Sequence, residues 1–272
     1  MRDHRFAANR AFAGEADVAL RRLFLESKAS DELNFAASLS PEFRPYKQNS
    51  AVEAQHAFSE YSEFLARSEG ESIRPRIALA FYAHLAEASG FWEVVKNLLG
   101  VLGGAKFNFM PFSEFTRKYG AAAGSPIPNA NKLMRSLVSC AALAGQTDLQ
   151  SVFARAFDAD LRNAYAHADY VLNAQGVIVL SRYGQERLIQ WNELNELLER
   201  AVTLYLTLND IRSEHCRYYS PAREVIGSLS PASREEAWRV EFSASGMVIS
   251  CGARMLQFAS YPNLAIFEAR VV

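Results

Sequence analysis

The sequence predicts a mainly α-helical protein, an up-and-down four-helix-type bundle with an inserted β-hairpin and a small C-terminal β appendage. Apolar residues recur at helical spacing in several long segments, which is typical of amphipathic helices. Residues 170–180 instead contain two β-prone runs broken by polar residues and a glycine. After residue 220, short apolar runs alternate with glycine or proline. We therefore expect an N-terminal helical and loop extension (1–50), the bundle (51–217) and a β-rich C-terminal extension (218–272).

The elements of the first half follow from periodicity and from turn residues. Residues 15–28 carry apolar groups at helical spacing, and a polar, proline-bearing stretch at 38–50 predicts a loop. Another helix is expected over 51–68. A longer one is expected over 75–99, because proline suits its first turn and Gly100 suits its C-terminal cap.

In the second half, an aromatic and turn-rich segment at 105–128 precedes a helix predicted over 129–144. The hairpin at 170–180 is followed by a long helix over 188–216, where leucines restore the helical period. The last part is predicted to contain four short strands, at 238–242, 247–250, 255–258 and 264–271.

Composition narrows the class of protein. Half of the 272 residues are hydrophobic and the formal net charge is −1, so we expect a large core and no overall basic coat. Arginine makes up 23 of the 29 basic residues, and its planar fork suits phosphate. Cys140, Cys216 and Cys251 lack metal-ligand spacing, so no metal or cofactor is predicted. The absence of a signal-peptide pattern and of a long apolar run predicts a soluble, cytoplasmic protein without a membrane partner.

The stretch from residue 158 to residue 170 differs from its surroundings, because Arg162, Asn163 and His167 stand there among alanines. Alanine is the strongest helix former, so we expect a helix. Asn163 and His167 then lie one turn apart on one face. Arg162 and His167 are separated by about 140° around the axis and about 7.5 Å along it. A long arginine side chain, or a second copy of the helix, would close that gap.

The run from Arg162 to His167, with the polar Asn163 directly after the arginine, resembles the signature of the HEPN (higher eukaryotes and prokaryotes nucleotide-binding) family. That signature is Arg, four to six residues, then His. The resemblance covers residues 51–217. It implies a metal-independent endoribonuclease, a toxin or antiphage effector, that leaves a cyclic phosphate and a 5′-hydroxyl. It also implies a site where two motif helices meet, so this chain with one motif would form a homodimer, with an antitoxin or regulatory protein as a further partner.

The three residue types fit RNA cleavage by the substrate's own 2′-hydroxyl. An imidazole can move protons near neutral pH, and a guanidinium stabilises charge that develops on phosphate oxygens. We therefore take Arg162, Asn163 and His167 as candidate catalytic residues, with Asn163 orienting the imidazole or donating to the phosphate. Tyr165 and Tyr170 are expected to pack, although either could stack on a base.

A second interpretation remains open. The chain would then be a non-catalytic HEPN module that binds RNA, a nucleotide or a protein partner, with the C-terminal strands as its docking surface. In a purely structural role, Arg162 would pair with Asp158 or Asp169, and His167 would be an ordinary helix residue. Glu87 is a weaker candidate neighbour of the site.

Overall fold

The protein is mainly helical and carries two small antiparallel sheets. The structure is a computed structural model, and it describes residues 2–39, 48–67, 73–112, 130–180, 185–243, 246–252 and 254–257. The helices within these ranges are α1 (Arg2–Ser30), α2 (Glu32–Ser38), α3 (Gln48–Arg67), α4 (Arg74–Glu87), α5 (Ser89–Leu102), α6 (Ala130–Leu143), α7 (Thr147–Ala156), α8 (Ala159–His167) and α9 (Trp191–Arg217). The strands are β1 (Tyr170–Leu172), β2 (Gly176–Leu180), β3 (Glu186–Gln190), β4 (Arg223–Gly227), β5 (Glu236–Ser243), β6 (Gly246–Cys251) and β7 (Arg254–Gln257).

Two long helices, α1 and α9, pack against each other at the centre of the helical core. α1 also contacts α5 and α7, while α9 also contacts α4 and α7. Leu20, Leu23 and Phe24 of α1 are completely buried, because their spacing places them on one face of the helix. The N-terminal segment thus shares one core with the helices of residues 51–217. None of the helices in the described part of the chain has the length and apolar character needed to cross a bilayer.

The prediction of one continuous helix over residues 75–99 is wrong. The chain forms α4 and α5 instead, separated at Ala88, whose ψ of 65° leaves the helical region. The sequence pattern hides the break because apolar residues continue on both sides of it. Gly100, the predicted cap, lies inside α5, which ends at Leu102. As a result, Glu87 is the last residue of α4 and its side chain can reach a neighbouring helix.

The helices predicted over 51–68 and 129–144 are confirmed as α3 and α6, with ends that differ by one to three residues. Residues 149–156 form most of a further helix, α7. The loop predicted at 38–50 and the segment at 105–128 lie partly outside the described residues.

The predicted hairpin at 170–180 is confirmed as β1 and β2, and β3 extends it to a three-stranded antiparallel sheet. The long helix predicted from residue 188 is therefore wrong at its start, since Leu188 and Ile189 belong to β3. The inner face of the sheet places Val177 and Ile189 in the core, against α8 and α9. Val171, Ile178 and Leu188 are paired side by side on the outer face.

The C-terminal sheet has the strand order β4-β5-β6-β7. The strands predicted at 238–242, 247–250 and 255–258 correspond to β5, β6 and β7, whereas the one at 264–271 lies outside the described residues. β4 was not predicted from the sequence.

The C-terminal sheet is attached to the helical core through β4 and α2. A Cβ atom on Gly227 would lie 3.0 Å from the Cβ of Leu33, so glycine permits this close approach. Beside it, Nδ2 of the buried Asn34 donates to the carbonyl of Ser228 at 2.8 Å.

Candidate functional site

Helix α8 carries all three candidate residues and is fixed at both ends. Asp158 is its N-cap, since its carboxylate accepts a hydrogen bond from the N–H of Leu161 at 2.8 Å. The same carboxylate pairs with Arg187 of β3 at 2.5 Å. At the other end, Ala168 adopts the left-handed conformation (φ 57°, ψ 27°), and the chain turns directly into β1. The position of α8 is therefore set by contacts with the sheet as well as by its own propensity.

The junction between α7 and α8 is anchored to α4 by Tyr82. The hydroxyl of this buried side chain accepts from the backbone N–H of Asp158 and donates to the carbonyl of Ala156 at 3.3 Å. Burial raises the pKa of Tyr82 above its usual range, so the hydroxyl keeps its proton and can continue to donate.

Arg162 points into the protein and is only 9% exposed. Its Nη2 forms an ion pair with the carboxylate of Glu87, and its Nη1 lies 3.4 Å from Oδ1 of Asn163. Its Nε is buried and has no hydrogen-bond partner among the described residues. A buried donor without an acceptor carries an energetic cost, which the ion pair with Glu87 helps to offset.

Neither aspartate considered from the sequence pairs with Arg162. Asp158 is bound to Arg187 instead, and Arg162 pairs with Glu87, which lies 75 residues earlier in the chain. Glu87, the weaker sequence candidate, is thus a direct neighbour of the site. Its side chain is 52% exposed, so the ion pair lies at the boundary between the core and solvent.

Asn163 faces α6. Its Oδ1 accepts a hydrogen bond from Nδ2 of Asn131 at 2.7 Å, and the same Nδ2 lies 3.4 Å from the carbonyl of Ala159. The structure therefore brings Asn163 together with Arg162 and fixes both against neighbouring helices.

His167, in contrast, is exposed at the end of α8 and forms no hydrogen bond or ion pair with any residue that the structure describes. The structure does not bring it into contact with Arg162 or Asn163. The geometry predicted from the sequence, with the arginine and the imidazole on different sides of one helix, agrees with this difference in burial.

The alanines of α8 differ in their surroundings. Ala164 is 2% exposed and packs in the core of its own chain, so it is not available for contact with another molecule. Ala166 and Ala168, on either side of His167, are exposed. A second copy of α8 could therefore approach closely at Ala166 and Ala168, but not at Ala164.

A cleft of about 300 Å³ opens beside Arg162, between α4, α6, α7 and the start of α8. Its apolar lining includes Met134, Phe153 and Phe157, and a second arginine, Arg135, also lines it. Arg135 is exposed. The cleft thus combines an apolar surface with two guanidinium groups.

Tyr165 and Tyr170 pack against the core, as expected from the sequence. Their rings are stacked with centroids 6.2 Å apart. The pKa of Tyr165 is raised mainly by burial and to a smaller extent by the neighbouring hydroxyls of Tyr61 and Tyr170. The hydroxyl of Tyr170 accepts from Arg76 of α4 at 3.1 Å, so the pair links α8 and β1 to α4.

Sequence reasoning missed Asn131, Arg135 and Arg187 as members of this region. Asn131 and Arg135 are polar residues on the amphipathic helix α6, and Arg187 lies on β3, a strand that was not predicted from the sequence. No local pattern distinguishes them from other surface residues. Only the packing of α6 and β3 against α8 identifies them.

Among the described residues, no group of three or more His, Cys, Asp or Glu side chains is arranged to hold a metal ion. No protein-family model, curated protein or solved structure matches the chain at a significant level.

Proposed function

We propose that the protein is a metal-independent endoribonuclease with a HEPN-type bundle, acting as a toxin or antiphage effector. The observation that carries the proposal is on α8, where a guanidinium held by neighbouring helices and an exposed imidazole, which no described residue binds, lie five residues apart. Arg162 supplies fixed positive charge, and His167 is accessible to a substrate proton.

In the proposed reaction, the 2′-oxygen of a ribose attacks the adjacent phosphorus, and the bond from phosphorus to the 5′-oxygen breaks. One imidazole takes the proton of the 2′-hydroxyl, and the imidazolium so formed returns that proton to the departing 5′-oxygen. Arg162 donates hydrogen bonds to the non-bridging oxygens as charge develops on them. The products are a 2′,3′-cyclic phosphate and a 5′-hydroxyl, so no water is consumed in this step.

The active form is proposed to be a homodimer, because Arg162 is buried on one side of α8 and His167 is exposed on another. A second copy can bring its imidazole to the first copy's guanidinium. Two features next to His167 support an interface there. Ala166 is small and exposed, and Val171 and Leu188 lie exposed on the outer face of the adjacent sheet, 55% and 37% accessible.

The first experiment is RNA cleavage by the purified protein in excess chelator, with analysis of the product ends. Cyclic phosphate ends are expected, and His167→Ala should lose about 100-fold or more in rate. His56→Ala is the matched control, because His56 is also exposed and lies on α3, outside the motif. Cleavage that requires added divalent metal, or that survives in His167→Ala, would contradict the proposal.

The dimeric site is tested by mixing two inactive variants, Arg162→Lys and His167→Ala. If a site uses the arginine of one chain and the histidine of the other, the mixed dimer contains one intact site and activity returns. If each chain holds a complete site, the mixture stays inactive. Light scattering should also give about twice the chain mass of 30.3 kDa.

The ion pair between Arg162 and Glu87 favours a second candidate function. A guanidinium that is already paired suits a non-catalytic module, which binds RNA, a nucleotide or a protein without cutting it. In that case RNA would bind in the chelator experiment and be recovered intact.

A further inference from the structure

The cleft beside Arg162 has no role in the reaction described above. Its volume, about 300 Å³, lies at the lower end of the range in which proteins bind small organic ligands. Because Arg162 lines both the cleft and the candidate site, a ligand in the cleft would lie next to a phosphate bound at that site.

The apolar lining of the cleft is aromatic and held in a fixed orientation. Phe153 and Phe157 pack edge-on against Trp92, with ring centroids 5.9 and 5.4 Å apart and planes at 79° and 83°. Phe153 is fully buried, so of these two rings only the half-buried Phe157 can be reached by a ligand. Partly exposed aromatic rings are the platforms on which unpaired nucleobases stack.

The polar lining offers both donors and an acceptor. Arg135 is exposed and forms no hydrogen bond or ion pair with any described residue, so its guanidinium is available. Ser139, one helical turn further along α6, adds a hydroxyl. Asp158 provides a carboxylate whose oxygens bind Leu161 and Arg187. A carboxylate has about four lone-pair sites, so it can accept further hydrogen bonds.

This combination matches guanine better than the other bases. Guanine presents two acceptors, O6 and N7, which an arginine fork binds together, and its 2-amino group is a donor suited to a carboxylate. Adenine carries a donor where guanine has O6, so its amino group would face the guanidinium. Pyrimidines lack N7 and are smaller.

We propose that the cleft binds the guanine of the nucleotide whose 3′-phosphate lies against Arg162, so that cleavage occurs after guanosine. The cleavage part rests on the proposed endoribonuclease function, whereas binding of the base does not.

The test is a calorimetric titration of the full chain with 3′-GMP, 3′-AMP, 3′-UMP and 3′-CMP. 3′-GMP is expected to bind at least about tenfold more tightly than the others, and Arg135→Ala should remove most of that preference. Lys132→Ala is the matched control, because it removes the same charge from an exposed position of α6 that does not line the cleft. Ser139→Trp, which fills the cleft from an exposed position, should abolish binding without loss of helical circular dichroism.

The outcomes separate the two proposals. If RNA is not cleaved but 3′-GMP binds with this dependence on Arg135, the endoribonuclease function fails and the guanine site stands. If RNA is cleaved but the four mononucleotides bind alike, or Arg135→Ala binds as the wild type does, the guanine site is overturned. Mapping of cleavage positions should then show no preference for guanosine.

Discussion

Arg162 and His167 lie on the same short helix, but their surroundings are opposite. Arg162 is buried, paired with Glu87 and next to Asn163, while the backbone that carries it is fixed by the cap at Asp158. His167 stands at the exposed C-terminal end, and no described residue binds its ring. One part of α8 therefore carries a buried guanidinium held by neighbouring residues, and its C-terminal end carries an imidazole exposed to solvent.

The contrast shows what the fold provides and what it leaves to a ligand. Groups that must be ready before substrate arrives are held by long-range contacts, because a fixed charge does not need to reorganise during reaction. A group that exchanges protons with a substrate must be reachable. Under the proposed function, the buried Arg162 would meet the first requirement and the exposed His167, at the C-terminal end of α8, would meet the second.

The largest effect is expected for Arg162→Lys. Lysine keeps the charge that faces Glu87 but loses the planar fork, so cleavage should fall by about 100- to 1000-fold while the melting temperature changes little. Arg200→Lys is the control, since Arg200 pairs with Glu196 on α9, away from the site. Single-turnover cleavage and thermal melting measure the two quantities. Full activity in Arg162→Lys would mean that only charge matters at this position.

Substitution by alanine tests whether Arg162 and His167 contribute differently to the stability of the fold. Arg162→Ala should lower the free energy of unfolding by about 1–3 kcal/mol, because it empties a buried position and leaves Glu87 without its partner. His167→Ala should change it by less than about 0.5 kcal/mol, since the ring is exposed. Urea unfolding measures the free energy of unfolding of both variants. Equal losses would mean that Arg162 and His167 do not differ in their contribution to stability.

A smaller effect is expected at Asn131, which holds Asn163 from α6. Asn131→Ala should cost about 0.5–1.5 kcal/mol of stability, the usual contribution of one hydrogen bond. Cleavage should fall less than in Arg162→Lys, because the guanidinium keeps its pair with Glu87. If cleavage falls as far as in the arginine variant, Asn163 must itself contact the substrate.

The smallest effect concerns pH and a second histidine. Burial lowers the pKa of His215, whose ring packs between Phe24 and Phe35. The unfolded chain therefore binds this proton at a higher pH than the folded chain does, and stability should decrease as pH falls below about 6.5. His215→Gln should flatten this decrease in urea unfolding, and His167→Ala should leave it unchanged. Any loss of cleavage in the same pH range can then be separated from unfolding.

The sequence by itself predicted most of the helices, the hairpin and the helical setting of the motif. Those features depend on local patterns: apolar residues at helical spacing, alternation around a glycine, and an alanine-rich run. It also predicted that Arg162 and His167 lie on different sides of α8, because that separation follows from helix geometry alone.

The tertiary structure decided which partners these residues have. Glu87 reaches Arg162 only because the chain breaks at Ala88 and α4 ends beside α8, and a continuous apolar pattern conceals that break. Arg187 reaches Asp158 only because residues 186–190 form a strand, whereas the sequence predicted that a helix begins at residue 188. Contacts between residues distant in sequence depend on how whole helices and strands pack together. A local sequence pattern does not indicate which element will pack against which. For that reason the motif was visible in the sequence, while the ion pair and the cleft became visible only in the fold.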